Sequence, residues 1–270
     1  MKKWLWLWLF ISLVGIEGMS QSVPSKGTVQ ILDSAMSMPP FVSRARRIWV
    51  YLPAGYETGR KRYPVLYMQD GQNLFDARTS FVGEWGVDEI ADSMKLSYII
   101  VGIDNGGMKR MQEYNRQDHA QFGKGEGKAY LEFIVNTLKP AIDQRFRTKK
   151  KAKYTAIAGS SMGGLISYYA GLQHPQVFGQ LGIFSPSFWI VDQLEATTLK
   201  AFENQKSVKQ YWYFYAGGKE GESMIPLTKQ VEAWLKSQRK IKTDIRLTPE
   251  AQHNEAAWHA ALPDFFSRLR

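Results

Sequence analysis

Cysteine is absent from the 270 residues, which excludes disulfide staples, thiolate metal sites and a lipid anchor on cysteine. Histidine is scarce, with only His119, His174, His253 and His259, and no H-E-x-x-H or similar ligand spacing. Neither a metal nor another cofactor is therefore expected. The one long apolar run, at the amino terminus, is shorter than the ~20 residues that comfortably span a bilayer. No internal repeat or linker divides the chain. Acidic residues are outnumbered, 25 Asp and Glu against 35 Lys and Arg, giving a formal charge of +10. Such a balance favours anionic substrates or an anionic envelope surface. The densest basic run, residues 145–153, reads as a solvated helix end and loop, so no nucleic-acid partner is expected.

The amino terminus carries Met1-Lys2-Lys3 followed by an apolar stretch from Trp4 to Val14, with small residues at Gly18 and Ser20. This is the layout of a secretory signal, cleaved after Ser20. The expected organisation is a signal peptide over residues 1–20 and a single domain over 21–270. The expected location is a periplasm or the exterior, with no stable membrane span after cleavage. Nothing in the sequence bears on oligomeric state.

The chain is organised around Tyr154-Thr155-Ala156-Ile157-Ala158-Gly159-Ser160-Ser161-Met162-Gly163-Gly164. A short β-branched and apolar run leads into G-x-S-x-G, and a helix-like segment, residues 165–172, follows. In that strand–turn–helix setting the motif holds a nucleophile on a sharp, strained turn. Glycines two residues either side let strand and helix pass without a Cβ clash. Ser161 has Gly159 and Gly163 at those positions, whereas Ser160 has Ala158 and Met162. Ser161 is the candidate nucleophile.

Elsewhere, strands are predicted at residues 28–32, 46–53, 63–68, 97–104, 178–184, 210–215 and 241–247. Helices are predicted at 87–94, 128–145, 227–240 and 255–270. Residues 105–127 form a long polar, glycine-rich segment of the kind that is functional or disordered. Strands alternating with helices imply an α/β fold, a mostly parallel central sheet with helices on both faces.

A serine hydroxyl needs a base within hydrogen-bond reach. His253 lies between the last strand and the last helix, where it reaches the C-terminal edge of the sheet. His259 sits inside that helix, His174 precedes a proline at a helix stop, and His119 lies in the long loop. His253 is the candidate base. The orienting acid should follow the seventh strand, which runs into Ala216-Gly217-Gly218-Lys219-Glu220-Gly221. Glu220 is preferred, with Glu222, Asp192 and Glu255 as alternatives. The backbone N–H of Met162 supplies one oxyanion donor. The second is assigned to Gln72, in the Asp70-Gly71-Gln72-Asn73 loop after the third strand.

Taken together, five segments resemble the putative-esterase family of α/β-hydrolases. They are Arg47-Ile48-Trp49-Val50-Tyr51-Leu52-Pro53, Tyr67-Met68-Gln69-Asp70-Gly71-Gln72-Asn73-Leu74-Phe75, Gly159-Ser160-Ser161-Met162-Gly163-Gly164, Phe184-Ser185-Pro186-Ser187-Phe188-Trp189 and His253-Asn254-Glu255-Ala256-Ala257-Trp258. The family includes enterochelin and bacillibactin esterases, feruloyl and acetyl-xylan esterases, S-formylglutathione hydrolase and the mycolyltransferases. The resemblance runs from about residue 46 to the carboxyl terminus. It implies an α/β-hydrolase fold and a serine esterase with Ser161, His253 and Glu220 as triad and Met162 and Gln72 as oxyanion hole. It also implies an ester substrate, a small molecule or a glycan ester. The siderophore-esterase-like branch is the nearest in its features. Trp85, Arg110, Tyr114 and Trp189 are expected to form an aromatic and cationic wall for catecholate or phenolic acyl groups. A feruloyl or acetyl-xylan-type esterase, or an acyltransferase on the same fold, is the alternative.

Overall fold

The computed structural model describes residues 26–81, 83–203, 209–238 and 240–270. The expected signal peptide lies outside the described residues.

Eight strands form one sheet in the order β1-β2-β4-β3-β5-β6-β7-β8. They are β1 Thr28–Met38, β2 Phe41–Leu52, β3 Val65–Gln69, β4 Ile99–Ile103, β5 Thr155–Ser160, β6 Gln180–Phe184, β7 Gln210–Gly217 and β8 Ile241–Thr248. From β4 across to β8 every pairing is parallel; β2 is antiparallel to both β1 and β4. The helices are α1 Val87–Ser93, α2 Arg110–Glu113, α3 Gly127–Phe133, α4 Lys139–Arg145, α5 Met162–Gln173, α6 Leu194–Glu203, α7 Met224–Lys236 and α8 Glu255–Arg268.

Strand alternation sorts the side chains into two cores. Ile48, Val50, Leu52 and Tyr67 face one layer, while Trp49, Tyr51, Leu66 and Met68 face the other. The first layer is closed by residues of α3, α5 and α7, the second by residues of α1 and α8. β3 through β6 are buried along their whole length, which is why they read as continuous apolar runs rather than alternating ones. Phe184 at the end of β6 is fully buried and packs on Trp85, Tyr213, Tyr215 and Phe265. Truncating it to alanine should cost ~3–5 kcal/mol.

Three local expectations are corrected. The hairpin β1–β2 is longer than residues 28–32 and 46–53 suggest, because at a solvated antiparallel edge polar residues such as Ser43 and Arg44 continue the ladder. The single helix expected over 128–145 is interrupted by a π-turn at Ile134–Leu138 just ahead of Pro140, which lacks the N–H that an uninterrupted helix would use. The long polar segment contains a 3₁₀ turn, Gly107–Lys109, and the single turn of α2.

The chain leaves β3 for β4 on one side and later enters β5 on the other, so the direction of winding reverses at β3. In open α/β sheets that reversal opens a crevice at the C-terminal strand ends. Gln69, Ser160, Phe184, Gly217 and Thr248 all end their strands on this edge.

Candidate active site

Ser161 joins β5 to α5 with φ 59° and ψ −123°, a region that a non-glycine residue enters only under constraint. Three backbone bonds supply it. Ser161 N–H donates to Phe184 O at 2.9 Å, and its carbonyl accepts from Leu165 N at 3.0 Å and Ser187 N at 3.2 Å. A Cβ on Gly159 would lie 2.6 Å from the Gly163 carbonyl, so the glycine there is a steric necessity. Ser161 Oγ lies 3.4 Å from Ser187 Oγ. Among the described residues no hydrogen bond joins it to His253; such bonds are commonly long in the free state and tighten when substrate binds.

His253 sits in the turn between β8 and α8 and faces the same cleft as Ser161. Its Nδ1 lies 2.8 Å from Glu220 Oε2. A carboxylate only accepts, so Nδ1 carries the proton and Nε2 is left free for a hydroxyl. The Glu220 side chain is fully enclosed. Its other oxygen, Oε1, accepts from Gly217 N at 2.6 Å and from Ser185 Oγ at 2.8 Å. The alternatives for the acid fall elsewhere. Asp192 and Glu222 are exposed, and Glu255 opens onto the cleft with its carboxylate held by its own backbone N–H. The other histidines are not in this arrangement: His259 Nδ1 bonds Trp85 O at 2.9 Å, and His119 stacks on Phe122.

Met162 is the first residue of α5 and Gln72 lies within a 3₁₀ turn, Gly71–Asn73. First-turn N–H groups have no intrahelical acceptor, so both amides are available to an incoming oxyanion. Gln72 lines the cleft beside Ser161.

The cleft encloses about 910 Å³ and is lined by strand ends on one side and by residues 79–81, 104–105 and 107–108 on the other. Asp70, in the left-handed region at φ 56°, accepts from Arg110 Nε at 2.7 Å and Nη2 at 2.9 Å, and from Asn105 Nδ2 at 2.7 Å. Burial opposes the charge on Arg110, but Asp70 more than offsets it and holds the guanidinium above its ordinary pKa. Burial also raises the carboxyl of Asp104 against the opposing pull of the Trp49 indole and Arg47. Burial, with Asp70 nearby, raises that of Glu255.

This geometry corrects the expected aromatic and cationic wall. Trp85 and Tyr114 are 2 % and 0 % exposed, the first packed on Phe184 and Trp258, the second beneath Asp70 with its ring on Tyr130. Trp189 is exposed but lies against Phe122, outside the cleft lining. Arg110 lines the cleft, yet its charge is committed to Asp70. The exposed apolar residues at the mouth are instead Phe81, 87 % exposed, and Met108, 98 % exposed. Asp70, Ser185 and these two rim residues were not singled out as site residues from the sequence. Their position just beyond the ends of strands, or in the loops that follow, was the available signal.

Among the described residues no helix is long and apolar enough to cross a membrane.

The model of the family described as "Putative esterase" matches residues 41–269. YbbA of Bacillus subtilis is 29 % identical over 206 residues, 71 % of this chain and 78 % of its own. An endo-1,4-beta-xylanase/feruloyl esterase of Xylanibacter ruminicola is 28 % identical over 68 % of this chain, which spans only 24 % of that protein. A siderophore triacetylfusarinine C esterase of Aspergillus fumigatus is 29 % identical over 56 % of this chain and 53 % of its own length. Among solved structures, an IroE-like serine hydrolase from Shewanella oneidensis superposes with a TM-score of 0.68 at 20 % identity, covering 89 % of this chain and 79 % of that one. An S-formylglutathione hydrolase from Agrobacterium tumefaciens gives 0.64 at 15 % identity, over 93 % and 99 %. These superpositions show the α/β-hydrolase fold.

Proposed function

The chain belongs to the putative esterase family, and from that membership we propose an exported serine ester hydrolase working through an acyl-enzyme, with Ser161, His253 and Glu220 as its triad. The observation that carries this reading is the 2.8 Å contact of His253 Nδ1 with the enclosed Glu220 carboxylate, in the cleft that also holds Ser161 on its strained turn.

Ser161 Oγ attacks the ester carbonyl carbon while His253 Nε2 takes its proton. Glu220 stabilises the imidazolium that results. The oxyanion is held by the N–H groups of Met162 and Gln72. Collapse of the tetrahedral intermediate breaks the ester C–O bond, and the leaving alcohol takes the proton from His253. Water, deprotonated by the same imidazole, then attacks the acyl-enzyme and releases the acid and free Ser161.

For substrate we infer a siderophore-type or other bulky carboxylic ester, on the breadth of the cleft and the likeness to the fungal siderophore esterase. A second reading, a feruloyl or acetyl ester on a glycan, is favoured by the polar side chains placed within the cleft. Arg110 is neutralised by Asp70, and Asn73, Asp104 and Glu255 offer groups that suit hydroxyls. Comparing kcat/KM on a catecholate trilactone with that on methyl ferulate separates the two. A preference of at least tenfold for the trilactone supports the first reading, and the reverse preference supports the second. Transfer of the acyl group to an added alcohol in preference to water would instead identify an acyltransferase. Export rests on the amino-terminal pattern of residues 1–20 and is tested by sequencing the amino terminus of the mature protein.

A further inference from the structure

Trp258 and Ser185 stand behind the acid and are assigned to no step above. The Trp258 indole can only donate, and its Nε1–H reaches Ser185 Oγ at 2.9 Å. That contact occupies the acceptor side of the hydroxyl, so its hydrogen is turned toward Glu220 Oε1, 2.8 Å away. With Gly217 N also on Oε1 at 2.6 Å, this oxygen is saturated by two donors. Oε2 alone is left for His253 Nδ1. The same indole ring meets the imidazole edge-on, with centroids 5.1 Å apart. Trp258 thus touches the base directly and the acid through one hydroxyl.

Ser185 is held for this task. It is fully buried, its φ is 43°, and its N–H is pinned to Tyr215 O at 2.8 Å. A left-handed backbone at a buried serine is unfavourable unless its surroundings impose it.

We propose that Ser185 and Trp258 are positioning residues. Acting as a donor relay, they engage Oε1 of Glu220, hold the carboxylate in one orientation with Oε2 presented to His253 Nδ1–H, and so fix the imidazole in place. The inference rests on the triad reading of the preceding subsection. A purely structural role, tying α8 to β6, would predict lost stability without a specific loss of turnover.

The test uses the full-length protein and the variants Ser185→Ala, Ser185→Gly, Trp258→Phe and the Ser185→Ala/Trp258→Phe double. Glycine adopts the positive φ without strain, so it removes the hydroxyl while favouring the backbone. Phenylalanine keeps a ring near His253 and removes the donor. With p-nitrophenyl butyrate, each single variant should lose about 10- to 100-fold in kcat, the effect of withdrawing one hydrogen bond from a charged group. KM should stay within about threefold, and the double variant should be no worse than the poorer single. The downfield imidazole Nδ1–H proton resonance of His253 should be sharp in the wild type and lost or exchange-broadened in the serine variants. Wild-type kcat with that resonance intact in Ser185→Gly, or strictly multiplicative losses in the double variant, would overturn the relay. The resonance reads the relay without catalysis. A wild type that shows it but fails to react with a fluorophosphonate would sink the nucleophile assignment and leave the relay standing.

Discussion

The two walls of the cleft are built differently. On the sheet side, Ser161, Glu220 and His253 lie just past strand ends, and every neighbour that sets their geometry is buried or pinned by backbone bonds. On the loop side, Phe81 and Met108 project into solvent from the connections that follow β3 and β4. The first wall is what a fixed reaction requires, since a small displacement of a base or acid forfeits orders of magnitude in rate. The second is where substrate preference can change without disturbing the chemistry. Asp70 and Arg110 stand between them and fasten the loop after β4 to the end of β3.

The largest loss is expected on the sheet side. Glu220→Gln removes the charge that stabilises the imidazolium while keeping the shape. It should lower kcat by about 10²- to 10⁴-fold with KM little changed. A loss below tenfold would demote Glu220 to a structural carboxylate. At the junction, Asp70→Asn leaves Arg110 largely buried without its counter-charge. It should cost ~3 kcal/mol, read as a lower midpoint in urea; an unchanged midpoint would show that the pair contributes nothing. On the loop side, Phe81→Ala and Met108→Ala should leave the thermal midpoint unaltered, because both side chains are solvated in the free protein. They should change the kcat/KM ratio between a bulky aryl ester and p-nitrophenyl acetate by up to ~10-fold. Equal losses on both esters would deny them a part in selection.

The smallest effect concerns Asp88 in α1. Burial and then Glu89 push its carboxyl up to about 7. The folded state therefore keeps this proton to higher pH than the unfolded chain, whose carboxyl titrates near ~4. By linkage, the contribution to stability falls as pH rises from about 4 to about 7. Asp88→Asn should match the wild type at pH 4 and exceed it by ~1 kcal/mol at pH 8, a figure discounted for partial solvation. Chemical denaturation at the two pH values decides this, and a gain at pH 4 would contradict the sign.

The same division governs what could be read from the sequence. The elbow at Ser161 was legible because its signal is local: strand, glycines at fixed offsets, helix. His253 and Glu220 were legible as the first suitable groups beyond strand ends in a known winding order, and the structure brings them to 2.8 Å. The wall was not legible. Trp85 and Phe81 belong to one loop, four residues apart, yet one is 2 % and the other 87 % exposed. Aromatic chemistry suits either fate, and only packing against Phe184 and Trp258 decides it. Arg110 was visible as a cation but not as a neutralised one, because Asp70 lies 40 residues away in sequence. Ser185 stands in the sequence only as part of the Phe184–Trp189 segment, while its bonds to Glu220 and Trp258 depend on the register of β6 with β7 and the docking of α8.

The central claim is that Ser161 is an activated nucleophile in a carboxylic ester hydrolase. The most direct measurement is a pre-steady-state burst with p-nitrophenyl acetate and butyrate, run on the wild type and on Ser161→Ala. A burst and turnover are expected in the wild type, both lost in the variant by ~10⁴-fold or more, with an unchanged circular-dichroism spectrum. Turnover that survives in the folded variant, or a wild type with neither burst nor fluorophosphonate adduct, would contradict it.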